Sequence, residues 1–142
     1  MSVLTKLIEF KQKYPGTVMW RTAKHAKIIE QNLHVGEEIK YIFAGQKNYN
    51  HWDIFNTFVV LLTNERLIIA HKRLIIGLTF NSVTPDMFND IKITAGLFWG
   101  TVAIDTVKEV VVLTNISKKA LPEIQRTISK AMIAGKKEYN ND

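Results

Sequence analysis

The sequence predicts an α+β protein, with about seven short antiparallel strands forming a small closed or half-closed sheet. A helical hairpin precedes the strands and a C-terminal helix caps them. Three observations predict this. Apolar residues recur at three- and four-residue intervals at both ends of the chain, but in β-branched and aromatic runs through the middle. Those runs are separated by Asn, Gly, Asp and Pro, as in a meander. The 142 residues are 46% hydrophobic, enough for one packed core.

At the N-terminus, Val3, Leu4, Leu7, Ile8 and Lys11 follow helical spacing until Tyr14-Pro15-Gly16 stops them. Thr17 can cap a second helix over 18–33, with Met19, Ala23, Ala26, Ile29 and Leu33 on one face and Lys24 and Lys27 outside. His34-Val35-Gly36 closes it. The hairpin therefore occupies 1–36, the sheet and its helix 37–134, and a polar tail expected to fray 135–142.

The expected strands are 39–44, 55–63, 66–70, 74–81, 90–94, 97–105 and 107–113. Two of them carry the same run, Arg66-Leu67-Ile68-Ile69 and Arg73-Leu74-Ile75-Ile76, and read as neighbours joined at His71-Lys72. Asn64-Glu65 is short enough for a tight hairpin, and 82–89, with Pro85, reads as a loop or single helical turn. Leu121, Ile124, Ile128 and Ala131/Met132 form the apolar stripe of the last helix, which starts at Ser117 or near Leu121 because Pro122 belongs in a first turn. Phe58–Leu62, Leu67–Ile69 and Val110–Leu113 are apolar on both faces. A sheet wet on one side alternates, so a second face must be covered by the N-terminal helices, by another copy of the chain, or by both.

Charge narrows the function. The net charge is +6, with six Lys/Arg against two Glu over 1–34, seven against eight acids over 35–113, and six against three over 114–142. Basic ends and a near-neutral sheet permit weak contact with an anionic membrane, but give no specific nucleic-acid site. The chain has no cysteine, which excludes disulfides and thiolate chemistry. His25, His34, His51 and His71 show no metal-ligand spacing, and Asp86 and Asp90 lie in a loop where Asp supports turns. No metal, cofactor or catalytic constellation is expected. The N-terminus is no signal peptide and nowhere do 18 apolar residues run together, so a cytoplasmic, non-spanning protein is expected.

The stretches VVLLTNERLIIA (59–70), NDIKITAGLFWGTVAIDT (89–106) and NISKKALPEIQRTI (115–128) resemble the bacterial pleckstrin-homology-like (PH-like) family, in its YokE-like branch. Thr63, Asn64, Arg66, Leu67, Ile68, Gly96, Leu97, Phe98 and Gly100 carry the likeness over roughly 37–134. The resemblance implies a PH-like barrel acting as a non-catalytic binding or adaptor module. It does not bring a phosphoinositide site, because 45–53 holds only Lys47 and His51 as basic candidates and 55–63 holds none. Contact candidates are Lys47, Tyr49 and Trp52 in the first loop, His71, Lys72 and Arg73 in the basic turn, and Lys118 and Lys119 before the last helix. The expected partners are another protein or a second copy of the chain, with weak anionic membrane contact as the alternative.

Overall fold

The computed structural model describes residues 3–15, 22–46, 57–72 and 78–141. Helices α1 (Val3–Lys13) and α2 (Thr22–Gln31) precede seven strands: β1 (Ile39–Gln46), β2 (Thr57–Thr63), β3 (Leu67–Lys72), β4 (Leu78–Val83), β5 (Phe88–Ala95), β6 (Gly100–Thr106) and β7 (Val110–Ile116). A 3-10 turn, Pro85–Met87, joins β4 to β5, and another, Lys118–Ala120, leads into α3 (Leu121–Asn141). The strands are antiparallel in the order β4-β3-β2-β1-β7-β6-β5.

The two halves of this sheet meet at a narrow seam. β1 and β7 pair at Gln46 and Thr114, where the Thr114 hydroxyl donates to the Gln46 carbonyl at 3.0 Å and the Asn115 amide donates to the Gln46 side chain. Gly45 permits the close approach: a Cβ there would lie 3.0–3.1 Å from Ile116, Leu113 and the Thr114 carbonyl. The last helix starts on the other half-sheet. A Cβ at Gly100 would come within 2.6 Å of the Leu121 side chain. Leu121, Ile124, Ile128 and Met132 are all buried, and α3 packs on β5 and the Pro85–Met87 turn. The polar tail expected to fray instead continues the helix to Asn141.

The centre of the first half-sheet, in β1–β3, is buried on both faces. Every residue of 42–46, 58–63 and 67–70 is buried. α1 packs on β1 and α2 packs on α1. Val3, Leu7, Phe10, Tyr14, Ala26 and Ile29 join the strand residues in one continuous core, with the Phe10 ring edge-on to Tyr41 at 6.1 Å. The helices therefore cover their own chain's sheet. The second half-sheet differs. β6 alternates between buried and half-buried residues, and Val110 and Val112 of β7 are exposed, which corrects the expectation that 110–113 is covered on both faces.

Two expected boundaries move for one physical reason. The seventh strand begins at Val110 rather than 107 because 106–109 form a turn, and the sixth begins at Gly100 rather than 97 because 96–99 form another. His71 and Lys72 are strand residues, paired with Thr79 and Leu78, and not the connection itself. The second Leu-Ile-Ile run, 74–76, lies outside the described residues.

Candidate functional site

The Thr63-Asn64-Glu65-Arg66 segment builds the tightest polar cluster. The Thr63 amide donates to the Arg66 carbonyl at 2.9 Å, and the Thr63 hydroxyl accepts the Glu65 and Arg66 amides at 3.1 Å each. A threonine side chain thus closes the hairpin without an Asn-Gly pair. Asn64 ties the turn to the linker before β1, accepting the Glu38 amide at 2.7 Å and donating its own amide to the Glu38 carbonyl at 3.1 Å. Arg66 then holds Glu37 in a two-pronged pair, Nε to Oε2 at 3.0 Å and Nη2 to Oε1 at 3.1 Å, and reaches the Asn32 carbonyl at 3.0 Å.

The Glu37 side chain is completely buried. Burial alone would raise its pKa. Hydrogen bonds from Arg66, from the Thr63 hydroxyl at 2.6 Å and from the His34 amide at 2.9 Å outweigh that and hold the carboxyl at about 2. His34, Glu37 and Glu65 bring ligand-type atoms within 4.8 Å of one another. They do not fit a metal ion, however, because both Glu37 oxygens serve Arg66 and a second cation would face the guanidinium. The family-like Thr-Asn-x-Arg pattern is a structural lock.

A second cluster sits where α1, β1 and α3 meet. Glu123 accepts from the Tyr41 hydroxyl at 2.8 Å and pairs with Lys13. Burial opposes its ionisation, but hydrogen bonds from Lys13, Tyr41 and Tyr14 together lower its pKa. Tyr41 is pushed up, first by burial and then by the carboxylate it bonds. Glu37 and Glu123 are each engaged by several donors, so neither is poised for acid–base work.

Open space is found between the half-sheets. A groove of about 690 Å³ runs between Phe58, His71, Thr79 and Asn81 on one side and 109–112 on the other. The His71 ring stacks on Phe58 with centroids 4.3 Å apart and planes 15° apart. Asn81 approaches Glu109 at 3.4 Å across the groove, while Val110 and Val112 leave apolar surface along the β7 wall.

The structure separates the sequence-derived contact candidates. His71 lies in the groove wall and Lys72 follows it at the end of β3. Lys118 and Lys119 stand at the other end of the β6–β7 hairpin, beyond the Ile116–Gly100 pair. Lys47, Tyr49, Trp52 and Arg73 lie outside the described residues. Sequence reasoning missed Thr79, Asn81 and Glu109, which become neighbours only through folding. It also passed over Leu97 and Phe98, which are 82% and 77% exposed at the β5–β6 turn. A signal for these was present: no acidic residue occurs in 91–104 or 110–122.

A seven-stranded antiparallel sheet folded into two half-sheets, plugged by a C-terminal helix and grooved between its halves, has the PH-like architecture. The family model for the bacterial PH domain matches residues 33–130, and the chain belongs to that family. Its members are generally binding modules rather than catalysts. Comparison with curated proteins and with solved structures gives no match. Among the described residues, no helix is long and apolar enough to cross a membrane.

Proposed function

We propose that this chain is a non-catalytic cytoplasmic adaptor that holds an extended segment of a protein partner in the groove between its half-sheets. The Thr-Asn-x-Arg and Gly-Leu-Phe-x-Gly patterns support its placement in the YokE-like branch of the family. The observation that carries the binding role is the groove itself. Its volume is that of a binding cleft. One wall offers Glu109 and exposed valines at 110 and 112, and the facing wall offers Thr79 and Asn81 for hydrogen bonds. The bound segment comes from another protein or from a second copy of the chain.

A photo-crosslinking residue at Thr79, compared with one at exposed Lys92 on β5, tests this reading in cells. The expected result is a discrete protein adduct from position 79, absent from position 92 and reduced at least ten-fold by Val112→Trp, which fills the groove. Mass spectrometry of the adduct separates a foreign partner from a second copy. Equal labelling from both positions, or an adduct indifferent to Val112→Trp, would refute it.

A further inference from the structure

Beyond the groove, and independent of it, the β5–β6 turn has the properties of a membrane contact. We infer that Leu97 and Phe98 insert into the interface of an anionic bilayer, with Lys118 and Lys119 set against the lipid phosphates. Two large apolar side chains, 82% and 77% exposed, stand side by side at a hairpin tip. The tip is convex, so what receives it must yield or be hollow.

The backbone of the tip decides between a bilayer and a protein. A peptide turn pushed past the headgroups meets hydrocarbon, which offers its amide and carbonyl groups no partners, so they must be satisfied from within. Here one amide, that of Gly96, and three carbonyls, those of Gly96, Leu97 and Trp99, are. The Gly96 amide donates to the Trp99 carbonyl at 2.8 Å. The Lys118 ammonium donates to the Gly96 carbonyl at 3.1 Å and to the Leu97 carbonyl at 2.9 Å. A protein partner could have supplied these bonds itself, whereas hydrocarbon cannot.

Among the described residues, the charge carried by the segments at this end is of one sign. Lys92, Lys118 and Lys119 are exposed, and the segments that form this end, 91–104 and 110–122, contain no Asp or Glu. Such a surface attracts anionic headgroups, while the apolar tip supplies a component that salt does not screen.

The test is co-sedimentation of the full chain with vesicles of phosphatidylglycerol and phosphatidylcholine, against vesicles of phosphatidylcholine alone. The wild type should bind the anionic vesicles at low salt, bind more weakly but still measurably near physiological ionic strength, and bind neutral vesicles far less. Leu97→Ser with Phe98→Ser should lower the partition coefficient at least ten-fold with an unchanged melting temperature, since both side chains are exposed. Lys119→Gln should cost about five-fold. Lys118→Gln should cost more, because it frees two carbonyls as well as removing a charge. Val112→Trp in the groove should bind vesicles like the wild type, so failure here and failure of the groove reading are distinguishable. Absence of binding to anionic vesicles, or a Leu97/Phe98 variant that binds as the wild type does, would overturn the inference. So would loss of a protein adduct from the tip variant with vesicle binding intact.

Discussion

The hairpin turns at 63–66 and 106–109 share one backbone device but differ in what surrounds them. In the second turn the Thr106 amide donates to the Glu109 carbonyl at 2.9 Å, and the Thr106 hydroxyl accepts the Lys108 and Glu109 amides at 3.3 and 3.1 Å, as Thr63 does for Glu65 and Arg66. In the first turn the fourth residue, Arg66, reaches inward to a buried carboxylate and binds the β2–β3 hairpin to the linker after α2. In the second, Glu109 is exposed and faces the groove. The contrast extends to the half-sheets these turns close. In one, β2 and most of β3 are covered on both faces, and in the other β7 keeps an open face at Val110 and Val112. The same local chemistry thus makes a structural clasp in one place and a wall of the open groove in the other.

If this distinction holds, matched substitutions should give unmatched losses. Arg66→Ala leaves Glu37 buried without its cation and should cost about 3–5 kcal/mol in chemical denaturation. Glu109→Ala should stay within about 0.5 kcal/mol. Comparable losses at the two positions would erase the contrast.

Acid sharpens the same comparison. Glu37 has a pKa of about 2 in the folded chain against an ordinary value of 4.5. Between those values the unfolded chain binds more protons, so stability falls as pH drops from about 4.5 towards 2. The contribution lost is about 3 kcal/mol. Glu37→Gln should flatten that part of the stability–pH curve, whereas Glu109→Gln should leave its slope unchanged.

The smallest difference expected is between the threonines. Thr63→Val removes a donor to a buried carboxylate as well as the acceptor of two amides, and should cost about 1.5–3 kcal/mol. Thr106→Val loses only the turn's own bonds and should cost about 0.5–1.5 kcal/mol. Thermal melts of the two single variants would decide it.

Much of the fold was legible because it rests on periodicity. The alternation and turn residues marked seven strands, and the stripe Leu121, Ile124, Ile128 marked the closing helix, all three residues now buried. The continuous apolar runs of β2 and β3 correctly implied a second covered face. The same reasoning failed at 110–113, because valines beside a groove look in sequence like valines in a core. The seventh strand's start was misplaced because a threonine, rather than glycine or asparagine, made the turn before it, and the sixth's because the turn opened by Gly96 was read as strand. Arg66 was visible only as a family-like residue, since its partner Glu37 lies 29 positions away and comes near only when the sheet forms. The groove brings together Phe58, Asn81 and Glu109 from distant strands, and no local pattern could reveal it. The exposed Leu97-Phe98 pair reads as strand because it opens the apolar and aromatic run 97–105.

The central claim is that α1 and α2 exist to cover the second face of the first half-sheet. Removing residues 1–31 tests it most directly, because the linker holding His34 and Glu37 is kept while Val3, Leu7, Phe10, Tyr14, Ala26 and Ile29 are lost from the core. Light scattering on the shortened protein at increasing concentration is the measurement. The account predicts aggregation or a larger assembly, driven by newly exposed strand residues, each of which gains about 1.5–3 kcal/mol from being covered. A soluble monomer with the full chain's β-sheet signature and a cooperative melt would contradict it, because the helices would then cover nothing the sheet needs covered.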